Sequence, residues 1–152
     1  KGKAVYIVPL KALASEKYKD FKKRYGKIAE IALSIGDIDS SDPYLAEYDL
    51  IVTTSEKLDS LIRHHSLWLS SIKTVVIDEI HLLNDPERGP TLEILITILK
   101  KLLKNAQIIA LSATIGNAEE LAEWLQAELV VDDWRPVKLH KGIYYDGKVE
   151  FY

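Results

Sequence analysis

The sequence predicts an α/β fold with a mostly parallel sheet, because strand and helix signals alternate along its 152 residues. Short apolar runs rich in Val and Ile, which are typical of buried parallel strands, each end in polar residues. Four such runs cover residues 3–8, 49–52, 74–77 and 107–111. Ligands of open α/β sheets bind just past the carboxyl ends of the strands, so we expect the functional residues directly after these four runs.

In the first half of the chain, a helix follows the first strand. Its apolar face recurs at helical spacing, and Gly26 is a plausible residue after its end. A second strand is expected over 28–35, followed by a turn at Gly36 and Asp37. Asp42 and Pro43 suit the start of a short helix that runs to Tyr48. The face of the first helix consists of Leu10, Ala14, Tyr18, Phe21 and Tyr25.

The next helix follows the third strand, where Thr53 and Glu56 have the spacing of a capping box. After a loop over 83–90, Pro90 suits the start of a longer helix, and Asn117 suits the start of the last one. A short final strand is expected over 128–131, and the tail beyond residue 133 is interpreted as a connector. The apolar faces of these helices are Leu58, Leu61 and Ile62, then Leu92, Leu95, Ile96, Leu99 and Leu103, then Leu121, Trp124 and Leu125.

Composition indicates one globular domain, since 47% of the residues are hydrophobic and 28% are charged. No apolar run reaches membrane-spanning length. The absence of Cys excludes disulfides and thiolate metal sites and favours a cytoplasmic setting. The net charge of −3 does not favour diffuse attraction to nucleic acid, so any such contact must be local. Because the chain also contains no Met, we interpret it as an excerpt from a longer protein.

The most informative motif is the strand that ends in Asp78 and Glu79, followed by His81. Two adjacent carboxylates at a strand end suit Mg²⁺-dependent phosphate chemistry. The first can hold the metal, directly or through water, and the second can position or deprotonate an attacking water. An isolated pair of carboxylates would more often be a solvated acidic turn. The residues after the neighbouring strands must therefore distinguish a catalytic site from such a turn.

The residues that follow the neighbouring strands favour a catalytic site over a solvated acidic turn. They are Pro9, Leu10, Lys11 and Ala12 after the first strand, Thr53, Thr54, Ser55, Glu56 and Lys57 after the third, and Ser112, Ala113 and Thr114 after the last. These blocks, in this order, resemble the first RecA-like motor domain of superfamily 2 helicases of the DExH type. Gly36-Asp37 and the blocks at 60–63, 88–93 and 133–137 narrow the resemblance to the archaeal Hjm-type (Holliday junction migration) repair helicases, relatives of the DNA polymerase theta helicase.

The resemblance implies a three-layer RecA-like (P-loop NTPase) fold that uses ATP and Mg²⁺. Asp78 would hold Mg²⁺ through its water shell, and Glu79 would orient and deprotonate the water that attacks the γ-phosphate. His81 would contact the Ser112-Ala113-Thr114 block or the second RecA-like domain of the same protein, so that nucleotide state is linked to movement.

Nucleic acid is expected at two strand-to-helix turns, 9–13 and 53–57, because free amides and hydroxyls at a helix amino terminus bind phosphate without reading sequence. Gly36 and Asp37 would add a third contact. The alternatives are that the hydroxyls only cap helices, that Lys11 and Lys57 are solvated charges, and that Gly36-Asp37 is a plain turn.

The phosphate-binding motif G-x-x-x-x-G-K-[S/T] does not occur in these 152 residues, and the resemblance puts it upstream of Lys1. Residues 1–133 are therefore predicted to be a partial ATP-binding domain that is inactive alone, and 134–152 a connector to the second domain. The resemblance implies a 3′–5′ DNA helicase acting on single-stranded and branched DNA in repair or recombination. An RNA helicase and a non-catalytic nucleic-acid-binding scaffold remain the alternatives.

Overall fold

The computed structural model describes residues 2–36, 41–113, 115–132, 134 and 136–152. Its main element is a five-stranded parallel sheet in the order β2-β3-β1-β4-β5. This sheet confirms the predicted α/β fold class. The strands are β1 (Lys3–Val8), β2 (Ile31–Ser34), β3 (Leu50–Thr54), β4 (Ile72–Ile77) and β5 (Gln107–Ala110).

Helices cover both faces of the sheet and make three layers. Among the described residues four helices are α-helical, and short 3₁₀ helices lie at Pro43–Glu47, Leu67–Ser71 and Ile80–Asn84. None of the helices in the described part of the chain combines the length and apolarity needed to cross a membrane. The α-helices are α1 (Lys11–Tyr25), α2 (Ser55–Arg63), α3 (Gly89–Leu102) and α4 (Ala118–Leu125).

The alternation of side chains along β1 divides the core in two. Val5 and Ile7 point to one face and pack in a cluster with residues of α2 and α3. Tyr6 and Val8 point to the other face, where the cluster includes Ala14 of α1. The interior strands are therefore apolar on both faces, as expected for a parallel sheet between two helical layers.

Two predictions about strands were wrong. Residues 128–131 form no strand, and Val130 and Val131 are 81% and 73% exposed. A strand needs a neighbour for its backbone hydrogen bonds, and these residues do not pair with β5, which is the edge of the described sheet. The second strand also begins later than predicted, at Ile31, because Ile28 belongs to the turn after α1.

The tail, interpreted only as a connector, contains an antiparallel hairpin of β6 (Gly142–Tyr145) and β7 (Lys148–Phe151). Its turn is Asp146-Gly147, and both residues have positive φ, 46° and 76°. Asp-Gly between apolar runs is a strong hairpin signal, so this element was predictable from the sequence. The role of 134–152 as a connector stays a prediction.

Gly89 opens α3 where two backbone segments meet. A Cβ atom there would lie 2.2 Å from the carbonyl oxygen of Leu83 and 2.9 Å from its carbonyl carbon. We expect Gly89→Ala to destabilise the fold by about 1–3 kcal/mol, since backbone atoms cannot yield as a flexible side chain does. Thermal unfolding would measure this against Gly116→Ala, whose Cβ would meet nothing within 4 Å. Equal melting temperatures for the two variants would contradict the packing shown here.

Candidate functional site

The carboxyl ends of β1, β3 and β4 meet at one edge of the sheet. In the parallel register, Val8 pairs with Thr54 and Ile7 pairs with Ile77, so the residues that follow emerge side by side. A small cleft opens at this edge. It is lined by polar Ser55, Asp78, Glu79 and Arg88, together with Ile7, Val8, Pro9, Leu82 and Leu92. The fold thus joins the predicted catalytic carboxylates to one residue of each of the two predicted nucleic-acid segments, Pro9 and Ser55.

Asp78 is held at both carboxylate oxygens. Its backbone N–H donates to the Ile7 carbonyl at 2.9 Å, which continues the strand pairing past the end of β4. Its Oδ2 accepts from the Tyr6 hydroxyl at 3.0 Å and lies 3.3 Å from the Lys17 ammonium, while Oδ1 accepts from the Glu79 N–H at 3.1 Å. Burial raises the pKa of the Tyr6 hydroxyl, and its hydrogen bond to Asp78 raises it further. The phenol therefore stays protonated and donates.

Glu79 has a left-handed backbone with φ of 56°, which is uncommon for a residue with a side chain. Such conformations cost free energy and cluster at functional sites. The turn reverses the chain so that the Ile80 N–H donates to the Leu111 carbonyl at 2.9 Å. The Glu79 side chain remains 42% exposed, so its carboxylate can reach a water molecule in the cleft.

His81 lies beside Glu79, with its Nδ1 atom 3.3 Å from the Glu79 carboxylate. The geometry at this distance does not make a hydrogen bond, and Nδ1 is buried without a hydrogen-bond partner among the described residues. A buried polar atom of this kind is costly unless something else satisfies it. The predicted partner Thr114 lies outside the described residues.

Ser112 and Ala113 are exposed just beyond β5. The Leu111 N–H donates to the Ile77 carbonyl at 2.8 Å, which continues the β4–β5 pairing past the end of β5. The structure therefore brings the backbone of Leu111, directly before Ser112 and Ala113, next to the Asp-Glu turn. This adjacency is what a coupling role would need, and that role stays a prediction.

The first predicted nucleic-acid segment is open to solvent. Leu10, Lys11 and Ala12 are exposed, and Pro9 is half-buried at the mouth of the cleft. Leu10 is the residue that precedes α1, and no side chain caps this end of the helix. The amides of the first turn are thus available to an outside acceptor.

The second segment is mostly turned into the fold. Thr53 belongs to β3, and its hydroxyl donates to the Ser34 carbonyl at 2.8 Å. The capping box expected at Thr53 was wrong by one residue, because Thr54 caps α2 by accepting from the Lys57 N–H at 3.4 Å. Ser55 is buried as well, and Glu56 is the exposed member of this segment.

The Lys57 side chain is buried and lies in an ion pair. Its ammonium is 2.9 Å from the Asp42 carboxylate, and the two side chains are only 4% and 14% exposed. In this arrangement Lys57 holds α2 against the segment that begins the 3₁₀ helix Pro43–Glu47, rather than presenting a charge to solvent.

The third predicted nucleic-acid contact was Gly36 with Asp37. Gly36 has a φ of 110° and open space where a Cβ would lie, whereas Asp37 lies outside the described residues.

Tyr6 and Lys17 are site residues that the sequence analysis missed. One signal was available, because strand alternation puts Tyr6 on the face opposite Val5 and Ile7, the face that α1 covers. Lys17 offered no comparable signal, since its partner Asp78 is distant in the sequence.

The donor set at this edge suits Mg²⁺ and does not suit a protein-only metal centre. Within the described residues no group of three or more His, Cys, Asp or Glu side chains could hold a metal ion. Mg²⁺ is usually bound by one or two carboxylates together with substrate phosphates and water. Asp78 and Glu79 place that number of carboxylates at the cleft.

A parallel sheet between helical layers, with paired carboxylates at the end of an interior strand, is consistent with a RecA-like α/β domain. The chain belongs to the DEAD/DEAH box helicase family, whose sequence model matches residues 1–121. This membership confirms the helicase resemblance proposed from the motifs.

Curated relatives narrow the similarity to one group. The chain is 62% identical over 150 residues to the ATP-dependent DNA helicase Hel308 of Methanocaldococcus jannaschii, with 98% of this chain and 12% of that protein covered. It is 57% identical over 148 residues to the protein of the same name in Pyrococcus abyssi, covering 97% of this chain and 20% of that protein. The chain thus spans a fifth or less of the length of these relatives.

Proposed function

We propose that the full-length protein is an ATP-dependent DNA helicase that translocates 3′–5′ on single strands and unwinds forked or branched DNA in repair or recombination. The observation that carries this proposal is the cleft where Asp78 and Glu79 meet Pro9 and Ser55, one residue from each of the two proposed nucleic-acid turns. The archaeal relatives, which are described as ATP-dependent DNA helicases, support ATP and DNA as the ligands.

In this proposal Asp78 holds Mg²⁺ through its water shell. The bound ion would neutralise charge on the phosphates of ATP. Glu79 orients the attacking water and accepts its proton, for which its exposed carboxylate at the cleft is suitably placed. His81 contacts the Ser112-Ala113-Thr114 block or the second RecA-like domain and so links nucleotide state to movement.

The experiment that tests the proposal measures unwinding by the full-length protein of a forked DNA and of an RNA fork of the same sequence. We expect ATP- and Mg²⁺-dependent unwinding of the DNA with a 3′ single-stranded arm. Unwinding confined to RNA would favour an RNA helicase. Binding of nucleic acid without ATP hydrolysis would favour a non-catalytic scaffold.

The DNA-binding part of the proposal rests on the exposed first turn of α1. Replacing Lys11 with Ala should weaken single-strand binding equally for different base sequences and reduce the slope of log affinity against log salt by about 0.7, because one phosphate contact is lost. Binding titrations at several salt concentrations would measure the slope. Lys23→Ala, at the exposed far end of the same helix, is the matched control. An equal change in both variants would show diffuse attraction instead of a contact at this turn.

A further inference from the structure

Tyr6 and Lys17 converge on a single atom, the Oδ2 of Asp78. The Tyr6 hydroxyl donates to this oxygen at 3.0 Å, and the Lys17 ammonium lies 3.3 Å from it. The same ammonium lies 5.6 Å from the centre of the Tyr6 ring, so the three groups form one cluster. Asp78 is thus restrained by two side chains as well as by the Glu79 amide at its other oxygen.

The fold fixes both side chains in this cluster. Tyr6 is buried on the face of β1 that α1 covers, and its ring meets Phe21 edge-on with 5.1 Å between the ring centres. Phe21 lies one helical turn after Lys17, and residues four apart share one face of a helix. The packing of Phe21 on Tyr6 therefore sets the position from which Lys17 reaches Asp78.

We propose that Tyr6 and Lys17 are positioning residues for ATP hydrolysis, which orient the Asp78 carboxylate and connect it to α1. The inference rests on the proposed function. Groups that hydrogen-bond a metal-binding carboxylate from outside fix its orientation, and their loss typically costs activity or metal affinity. Because the first turn of α1 is the proposed DNA contact at Lys11, the same helix would link DNA binding to the metal-binding residue.

Folding stability alone does not account for the ion pair between Lys17 and Asp78. The Lys17 side chain is 37% exposed, and ion pairs at exposed positions contribute little to folding. The contact that Lys17 of α1 makes with Asp78 at the end of β4 therefore indicates a role for Lys17 in the site. That role predicts effects on the metal-dependent step that a packing role would not produce.

The experiment compares Tyr6→Phe, Lys17→Met, Lys17→Arg and the double variant Tyr6→Phe/Lys17→Met in the full-length protein, with Lys19→Met as the control on the exposed side of α1. We expect Tyr6→Phe and Lys17→Met, the two single variants that remove a contact, each to lower kcat for DNA-stimulated ATP hydrolysis about tenfold and to raise KM for ATP in the presence of Mg²⁺ by a similar factor. Lys17→Arg should retain most of the activity, because it keeps the charge. The double variant should lose little more than one single variant, since both contacts act on the same oxygen.

A binding measurement separates positioning from a general defect. Calorimetry should show that Tyr6→Phe reduces the affinity for ATP in the presence of Mg²⁺ by about tenfold, while affinity without Mg²⁺ stays at the wild-type value. Lys17→Met should also reduce the stimulation of hydrolysis by single-stranded DNA.

Two results would overturn the inference. The first is that Lys17→Met and Tyr6→Phe match Lys19→Met in kcat and in Mg²⁺ dependence while the wild-type protein hydrolyses ATP. The second is that the two losses multiply fully in the double variant, which would mean that the residues act independently. A wild-type protein that hydrolyses no ATP would instead contradict the proposed function itself, and the inference would fail with it.

Discussion

Replacing Glu79 with Gln in the full-length protein is expected to lower ATP turnover by about 10²–10⁴-fold while ATP and DNA binding persist. Gln has nearly the same shape as Glu but cannot accept a proton from the attacking water. The side chain is exposed at the cleft beside Asp78, so the substitution removes a chemical group without disturbing a packed core. Steady-state hydrolysis with saturating DNA measures the loss.

The control for this experiment is Glu87→Gln. Glu87 is an exposed carboxylate in the loop before α3, close in sequence to the cleft residue Arg88. We expect its turnover to match the wild type. If Glu79→Gln unwound DNA at close to the wild-type rate, another group would have to be the base.

Much of the fold was predictable because the dominant signals are local. The apolar runs that became β1, β4 and β5 end within a residue of the predicted positions, since burial on both faces requires continuous apolar sequence. The predicted start of α3 at Pro90 is within one residue of its start at Gly89, because the fixed backbone angle of proline suits the first turn of a helix. Residues 128–131 have the same apolar character, yet they form no strand because strand formation also depends on a pairing partner.

The candidate site also has a part that was predictable from the sequence and a part that was not. The meeting of Asp78 with the turns at Pro9 and Ser55 follows from parallel pairing, which places the carboxyl ends of neighbouring strands at one edge. The direction of each side chain does not follow so simply. β3 ends at Thr54, two residues later than predicted, so Thr53 lies in the sheet and Thr54 caps α2.

Contacts that are distant in sequence were not predictable from any local pattern. Lys17 and Lys57 look alike in the sequence, because each is a lysine that follows a glutamate on a helix with several charged residues. The structure brings one to the Asp78 carboxylate and buries the other against Asp42. Only the tertiary fold decides which acidic group each lysine meets.

The second large effect is expected on the stability of the protein when Lys57 is replaced. Its ion pair with Asp42 is almost fully buried, and the Ser34 hydroxyl also donates to the Asp42 carboxylate at 3.3 Å. Replacing Lys57 with Met should lower the free energy of unfolding by about 3 kcal/mol, because it removes the ammonium that lies 2.9 Å from the mostly buried Asp42 carboxylate. At roughly 2–4 °C per kcal/mol for a domain of this size, the melting temperature should fall by about 6–12 °C.

A double-variant cycle isolates the contribution of the Lys57–Asp42 ion pair to stability. Asp42→Asn keeps a residue that tolerates the left-handed backbone at this position, where φ is 42°. The combination Asp42→Asn/Lys57→Met should recover part of the stability lost in Lys57→Met, since no unpaired charge stays buried. Lys104→Met, at an exposed site, should change stability by less than about 0.5 kcal/mol.

The same variants decide between the two roles considered for Lys57. A lysine that holds α2 in place changes the stability of the protein, whereas a lysine that binds a DNA phosphate changes the salt dependence of DNA binding. Because the ammonium lies 2.9 Å from Asp42 and the side chain is buried, we expect Lys57→Met to lower stability and to leave the salt slope unchanged. The opposite result, a reduced salt slope with wild-type stability, would mean that Lys57 leaves Asp42 when DNA binds and contacts the phosphate backbone directly.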